Sequence, residues 1–198
     1  LSRKCFVPLS VGGWVQSIEE IQLLLSKGAD KVVINSKAIE DPQFITKAAE
    51  IFGNQCIVVS IDAKKNEHGE HEVYINQGKK GTGKSAYEWA KEMEQQKCGE
   101  IFLTSIDNDG SREGYDLELI SKISQGVNIP VIASGGVGKW DHFVEGICAG
   151  ADAVSAANIF HYTEQSTKLA KEFMKNRGVN VRKPEFYEIH KIKKTLLR

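Results

Sequence analysis

The chain has 198 residues, 41% hydrophobic and 26% charged, which is the mixture of a single globular domain with a sizeable core. Its 26 basic and 26 acidic residues cancel, so no global field draws it to nucleic acid or to an anionic membrane, and any anion must be held locally. The apolar runs are too short to span a bilayer, and Cys5, Cys56, Cys98 and Cys148 form no C-x-x-C pair, which argues for reduced packing cysteines in a cytoplasmic protein without structural metal or cofactor.

Short apolar runs and helical periods alternate along the chain. Strands are predicted at 7–11 (VPLSV), 31–35 (KVVIN), 56–61 (CIVVSI), 100–106 (EIFLTSI), 129–133 (IPVIA) and 152–156 (DAVSA), and their nearly continuous apolar character suits parallel strands covered on both faces. Helices are predicted between and after them, at 17–27, 41–52, 85–97, 115–125, 139–148 and 164–177. In the first, Ile18, Ile21, Leu24 and Leu25 share one face. Ser17 ahead of Glu19 and Glu20, and Asp41 ahead of Pro42, read as helix starts, and Gly28 and Gly178 as stops. Two segments break the rhythm. Residues 64–84 carry an alternating "EVYIN" and then a Gly/Lys stretch, read as a small hairpin and a mobile loop inserted after the third strand, and residues 183–198 form a basic, solvated tail.

A repeat underlies this order. Pro8, Gly12-Gly13 and Gly28-Ala29-Asp30 recur as Pro130, Gly135-Gly136 and Gly150-Ala151-Asp152, with the prolines and the Gly-Ala-Asp triplets 122 residues apart. The period holds four strand–helix units, and four units duplicated give the eight of a (β/α)8 TIM barrel with a half-barrel repeat. Six units are present, and the repeat register matches them to strands 3–8. Residues 1–182 are thus expected to form a partial barrel whose strands 1 and 2 would precede residue 1, and whose two open edges would be an association hazard.

In such barrels the chemistry sits at the C-terminal ends of the strands. Gly12, Gly13, Gly135 and Gly136 lie there, where bare backbone lets N–H groups approach phosphate oxygens. Two such turns on one barrel suit an elongated substrate with two phosphates. Asp62 follows the third strand and is a general acid/base candidate. Thr104 lies at the end of the fourth, and Asp109 and Gly110 follow it. The repeat also predicts a second aspartate on strand 1. Lys31 and Glu100 begin strands and could pair across the bottom mouth of the barrel, and His161 reads as a packed or capping histidine.

The stretches "GADKVVINS", "FGNQCIVVSIDAKK", "GEIFLTSIDNDGSREGYDLELI", "IPVIASGGVGK" and "GADAVSAANIFH" resemble the cyclase subunit family of imidazole glycerol phosphate synthase, in order from about residue 5 to 182. The resemblance implies a lyase of histidine biosynthesis. It takes ammonia from a partner glutaminase through the barrel and converts a ribulosyl-phosphate aminoimidazole carboxamide ribotide into imidazole glycerol phosphate and a purine precursor. It implies that Asp62 is one of two catalytic aspartates, and that Asn35 and Ser36 with the 12–14 turn hold one phosphate. Asp109, Gly110, Gly136 and Asn158 would hold the other, and Lys31 and Glu100 would gate the ammonia entrance. Trp14 stands where the family has a third glycine, and Asn158 where it has a serine. The "F-x-P-L-S-V-G-G" start also resembles a cyclase-like branch that channels ammonia, with a glutaminase and an amidotransferase, for sugar amidination. An inactive fragment is the remaining alternative.

Overall fold

The computed structural model describes residues 7–161 and 167–182. In chain order its strands are β1 (Ser10–Gly12), β2 (Lys31–Ile34), β3 (Ile57–Lys65), β4 (His71–Ile75), β5 (Lys80–Ser85), β6 (Glu100–Ser105), β7 (Val131–Ser134) and β8 (Ala153–Val154). Its helices are α1 (Ile18–Ser26), α2 (Ser36–Glu40), α3 (Gln43–Phe52), α4 (Ala86–Gln95), α5 (Leu117–Ser124), α6 (Trp140–Cys148), α7 (Asn158–His161) and α8 (Thr167–Asn176). Strands β1, β2, β3, β6, β7 and β8 pair in that order, all parallel, and β4 and β5 form an antiparallel hairpin on the free upper edge of β3. This is the curled parallel sheet of a partial (β/α)8 barrel. Among the described residues, β1 and β8 each pair on one side only. The predicted tail, 183–198, lies outside the described residues, as do Cys5 and the start of the last predicted helix.

The pleat divides the strands into two faces. Val32 and Ile34, Ile57, Val59 and Ile61, Ile101 and Leu103, and Val131 and Ala133 point outward and are buried under the helices. There they meet Phe44 and Ile45 of α3, Trp89 and Met93 of α4, Leu119 and Ile123 of α5, and Phe143 of α6. The inner face carries the alternate residues. Lys31 and Glu100 lie at the bottom, Val33, Val58 and Phe102 in the middle, and Ser60, Asp62, Thr104 and Ser134 at the top. The inner face is therefore less uniformly apolar than the runs suggest, and its polar residues collect at the end where the chemistry belongs.

The Gly-Ala-Asp repeat has a physical cause. Asp30 accepts the N–H of Leu9 at 2.7 Å and returns its own N–H to Leu9 O; Asp152 does the same with Val131, at 2.9 Å each way. Each aspartate locks the start of one strand onto the strand before it. The same register aligns Gly13 with Gly135 and Trp14 with Gly136, so the two Gly-Gly pairs are offset by one position, not equivalent. The backbone agrees, with φ of +109° and +60° in the first turn and +96° and +99° in the second.

Several boundaries move for local reasons. Strands β1 and β7 begin after Pro8 and Pro130, which have no N–H for the ladder. β3 runs on to Lys65, and Asn66 then accepts the N–H groups of His68 and Glu70 and turns the chain into β4. The Gly/Lys stretch is a correction: it is not a loop but strand β5. It is held by Glu72 accepting from Gly83 N–H at 2.7 Å and by the Thr82 hydroxyl donating to Val73 O at 2.8 Å. Ser17 closes a capping box with Glu20 at the start of α1. Asp41 makes no side-chain cap, since Pro42 already has helical dihedrals.

Candidate active site

The ends of β1, β2 and β3 enclose a cavity of about 560 Å³. Gly12, Gly13, Asn35, Ser36 and Asp62 all line it, so five of the sequence-predicted site residues come together there. A second cavity, of about 310 Å³, opens at the ends of β6, β7 and β8. Thr104, Asp109, Gly110, Gly135, Gly136 and Asn158 line it, which accounts for the rest of the proposed binding set.

Asp62 stands between the two cavities. On β3 it lies beside Thr104 of β6 on one edge and Tyr74 of β4 on the other. Its Oδ2 accepts from the side-chain amide of Asn35 at 2.8 Å and its Oδ1 from the Ser60 hydroxyl at 3.2 Å. Burial pushes its pKa above the ordinary carboxylate value; the Ser60 and Asn35 hydrogen bonds pull it back, and the charge of Asp109 adds to the upward push. A carboxylate that holds its proton more tightly than usual, at the end of a strand and facing a cavity, is suited to proton transfer. Asn35 Oδ1 is buried without a partner among the described residues, and Asn35 lines the same cavity.

Each cavity has a turn of left-handed backbone directly after a strand, Gly13-Trp14 after β1 and Gly135-Gly136 after β7. In the second, Gly136 could carry no side chain, because a Cβ there would lie 2.0 Å from Gly114 O, whose own N–H donates back to Gly136 O at 2.8 Å. In the first, Trp14 adopts φ +60° and is 79% exposed, with its side chain on the rim of the cavity rather than in the turn.

Three features were not visible to sequence reasoning. Asn76 and Gln77, at the tip of the β4–β5 hairpin, wall the first cavity. The run N-Q-G, with all three residues at positive φ, is the signal that marks this tip as a tight turn. Ser60 is the second hydrogen-bond partner of Asp62, two residues before it on the same face of β3. His71, buried on β4, pairs through Nε2 with Asp116 Oδ2 at 2.9 Å. Burial alone would raise the Asp116 pKa, but the hydrogen bonds from His71 and from Leu119 N–H, with the charges of His71 and Lys65, bring it below the ordinary value.

At the other end of the sheet Lys31 and Glu100 form an ion pair across the foot of β3, which separates their strands. His161 is exposed in the last turn of α7, so it is not packed in the core. Burial pushes the Cys98 thiol up to about 12, which leaves it without a thiolate for nucleophilic work.

The family model described as "Histidine biosynthesis protein" matches residues 1–166. The imidazole glycerol phosphate synthase subunit HisF of Campylobacter concisus is 52% identical over 182 residues, which cover 92% of this chain and 72% of that protein.

Proposed function

The chain belongs to the histidine biosynthesis protein family, and we propose that it is the cyclase subunit of imidazole glycerol phosphate synthase, a lyase that closes an imidazole ring with ammonia. The 52% identity to a subunit of that name supports this role over the sugar-amidination and inactive-fragment alternatives. The observation that carries the chemistry is Asp62, its proton affinity raised by burial, set between two cavities that each hold a left-handed backbone turn.

The substrate in this reading is a ribulosyl-phosphate aminoimidazole carboxamide ribotide, with one phosphate at each end. One phosphate lies against Gly12, Gly13, Asn35 and Ser36. The other lies against Gly110, Gly135, Gly136 and Asn158, with Thr104 between the two sites; Asp109, being anionic, would take hydroxyl or amide donors of the substrate rather than the phosphate itself. Anchoring both ends places the middle of the molecule over Asp62. Ring closure requires a proton to leave the nitrogen derived from ammonia and another to reach the departing purine-precursor nitrogen, and Asp62 is placed to carry out such transfers.

Ammonia would enter at the opposite end, past Lys31 and Glu100, from a glutaminase bound there in a cytoplasmic heterodimer. The experiment is turnover of the ribotide with ammonium salt alone and with glutamine plus the glutaminase. Imidazole glycerol phosphate formed under both conditions supports the reading. No product from either nitrogen source, with folded wild-type protein, overturns it.

A further inference from the structure

The β4–β5 hairpin walls one half of the site and is tied to the segment that carries part of the other. Its tip, Asn76 and Gln77, walls the cavity that holds Asp62. Its base is fastened elsewhere, to the segment that follows β6. His71 meets Asp116 at 2.9 Å, with side chains only 6% and 11% exposed. Asp116 Oδ1 accepts the N–H of Leu119 at 2.9 Å and so caps α5 with its other oxygen. The end of β3, on which β4 is paired, adds two more ties: Lys65 N–H donates to Asp107 at 3.0 Å, and Ile106 N–H donates to Ala63 O at 2.8 Å. The segment tied down in this way, 106–116, carries Asp109 and Gly110 of the second cavity.

These ties are unequal. The Lys65–Glu118 bridge is open to solvent, with side chains 44% and 70% exposed, and such pairs contribute little. The His71–Asp116 pair is the buried one. Removing one partner there leaves a polar atom without water or a substitute, so this contact resists loosening where the surface bridge does not.

We propose that His71 and Asp116 are a positioning pair for the reaction, fixing the hairpin tip beside Asp62 and the Asp109–Gly110 loop in one frame so that the two anion sites keep a constant separation. The proposal rests on the cyclase reading for its catalytic part; its mechanical part stands on the contacts alone. Neither residue touches the cavities. Their effect runs through Asn76 and Gln77 on one side and Asp109 on the other.

The test compares His71→Phe, which keeps a planar ring but removes the donor, with His71→Gln, which keeps a donor to Asp116. Ammonia-dependent kcat and KM are measured together with backbone hydrogen exchange at 76–78 and 107–110. His71→Phe is expected to lower kcat about 10-fold or more, in keeping with the sensitivity of positioned groups to small displacements. Exchange should quicken in both segments at once, and His71→Gln should recover most of both effects. Unchanged kcat in folded His71→Phe, or faster exchange in the hairpin with none at 107–110, overturns the proposal. If the phenylalanine variant fails to fold, Asp116→Asn, which retains the α5 cap, carries the same two measurements with a smaller expected loss, of about 3-fold in kcat, and no change in either readout overturns the proposal equally. A wild-type protein without cyclase turnover sinks the cyclase reading alone, because exchange still decides whether the two segments are coupled.

Discussion

The side-chain amide of Asn35, at the end of β2, donates to Asp62 on β3 at 2.8 Å while its own Oδ1 is buried with no partner among the described residues. The bond stabilises the charged form of Asp62 and opposes the upward push of burial. Asn35→Ala should therefore raise the Asp62 pKa further. If Asp62 must be ionised to accept a proton, the acid limb of kcat/KM moves to higher pH in this variant. A pH–rate profile with an unmoved acid limb would show that Asp62 is not the group being titrated.

Asp62→Asn should separate catalysis from stability. Turnover with ammonia should fall about 10²-fold or more, with a smaller effect on KM. Stability should behave differently. Because the folded-state pKa of Asp62 is raised, the folded protein holds this proton more tightly than the unfolded chain does. That difference destabilises the fold as pH rises from the unfolded through the folded pKa, and the cost persists above it. The asparagine variant should accordingly be as stable as the wild type or more stable at neutral pH, and should show no such gain at pH values below the carboxylate range. Chemical denaturation at two pH values checks both statements.

Two glycines at neighbouring repeat positions should respond very differently to the same substitution. A Cβ at Gly13 meets nothing within 4 Å, so Gly13→Ala carries only the left-handed backbone penalty, about 1 kcal/mol. Gly136→Ala adds a Cβ 2.0 Å from a backbone oxygen that must move, and it should cost more than about 3 kcal/mol. Equal losses in thermal melts of the two variants would contradict the packing described around Gly114.

The parts of this fold that were legible in the sequence are those fixed by local rules. Helical periods, strand-sized runs and the Gly-Ala-Asp triplets reported six strand–helix units, because each triplet aspartate performs the same backbone task in both copies. Gly12, Gly13, Asn35, Asp62, Gly135 and Gly136 were legible because they sit at strand ends, whereas Asn76 and Gln77, which line the first cavity from the hairpin tip, were not. What local rules could not report was pairing. A Gly/Lys stretch has low strand propensity, yet it becomes β5 because β4 offers it a ladder and Glu72 a cross-strand acceptor. His71 gave no signal, since its partner lies 45 residues away at the N-cap of α5. The one-position offset of the Gly-Gly pairs is countable in the sequence, and the matching register of Ser10 with Lys31 and of Ile132 with Ala153 fixes it, which makes Trp14 the counterpart of Gly136.

Lys31 and Glu100 are half-buried at the foot of the sheet, with side chains 30% and 18% exposed. Lys31→Met leaves the Glu100 carboxylate without its partner and should lower stability by about 1 kcal/mol. If the pair governs ammonia entry, glutamine-dependent turnover should fall while turnover with added ammonium salt stays near wild type. Parallel loss of both activities would place the defect in the fold instead of the entrance.

Trp14 holds φ +60° where its repeat counterpart is glycine, and the left-handed region costs a side chain with a Cβ about 1–2 kcal/mol. The residue is 79% exposed, so burial of the indole does not offset that cost within the described residues. Glycine removes the strain but adds chain entropy to the unfolded state, which takes back part of the gain. The net expectation for Trp14→Gly is a stabilisation of about 1 kcal/mol, which for a chain of this size is roughly 2–4 °C in Tm. The indole lines the rim of the cavity beside Gly12 and Gly13, where substrate phosphate is proposed to bind. A higher Tm together with a raised KM for the ribotide would show that the strained residue is kept for substrate contact. A higher Tm with unchanged KM would show that the first turn tolerates the indole without using it, and a lower Tm would refute the strain argument itself.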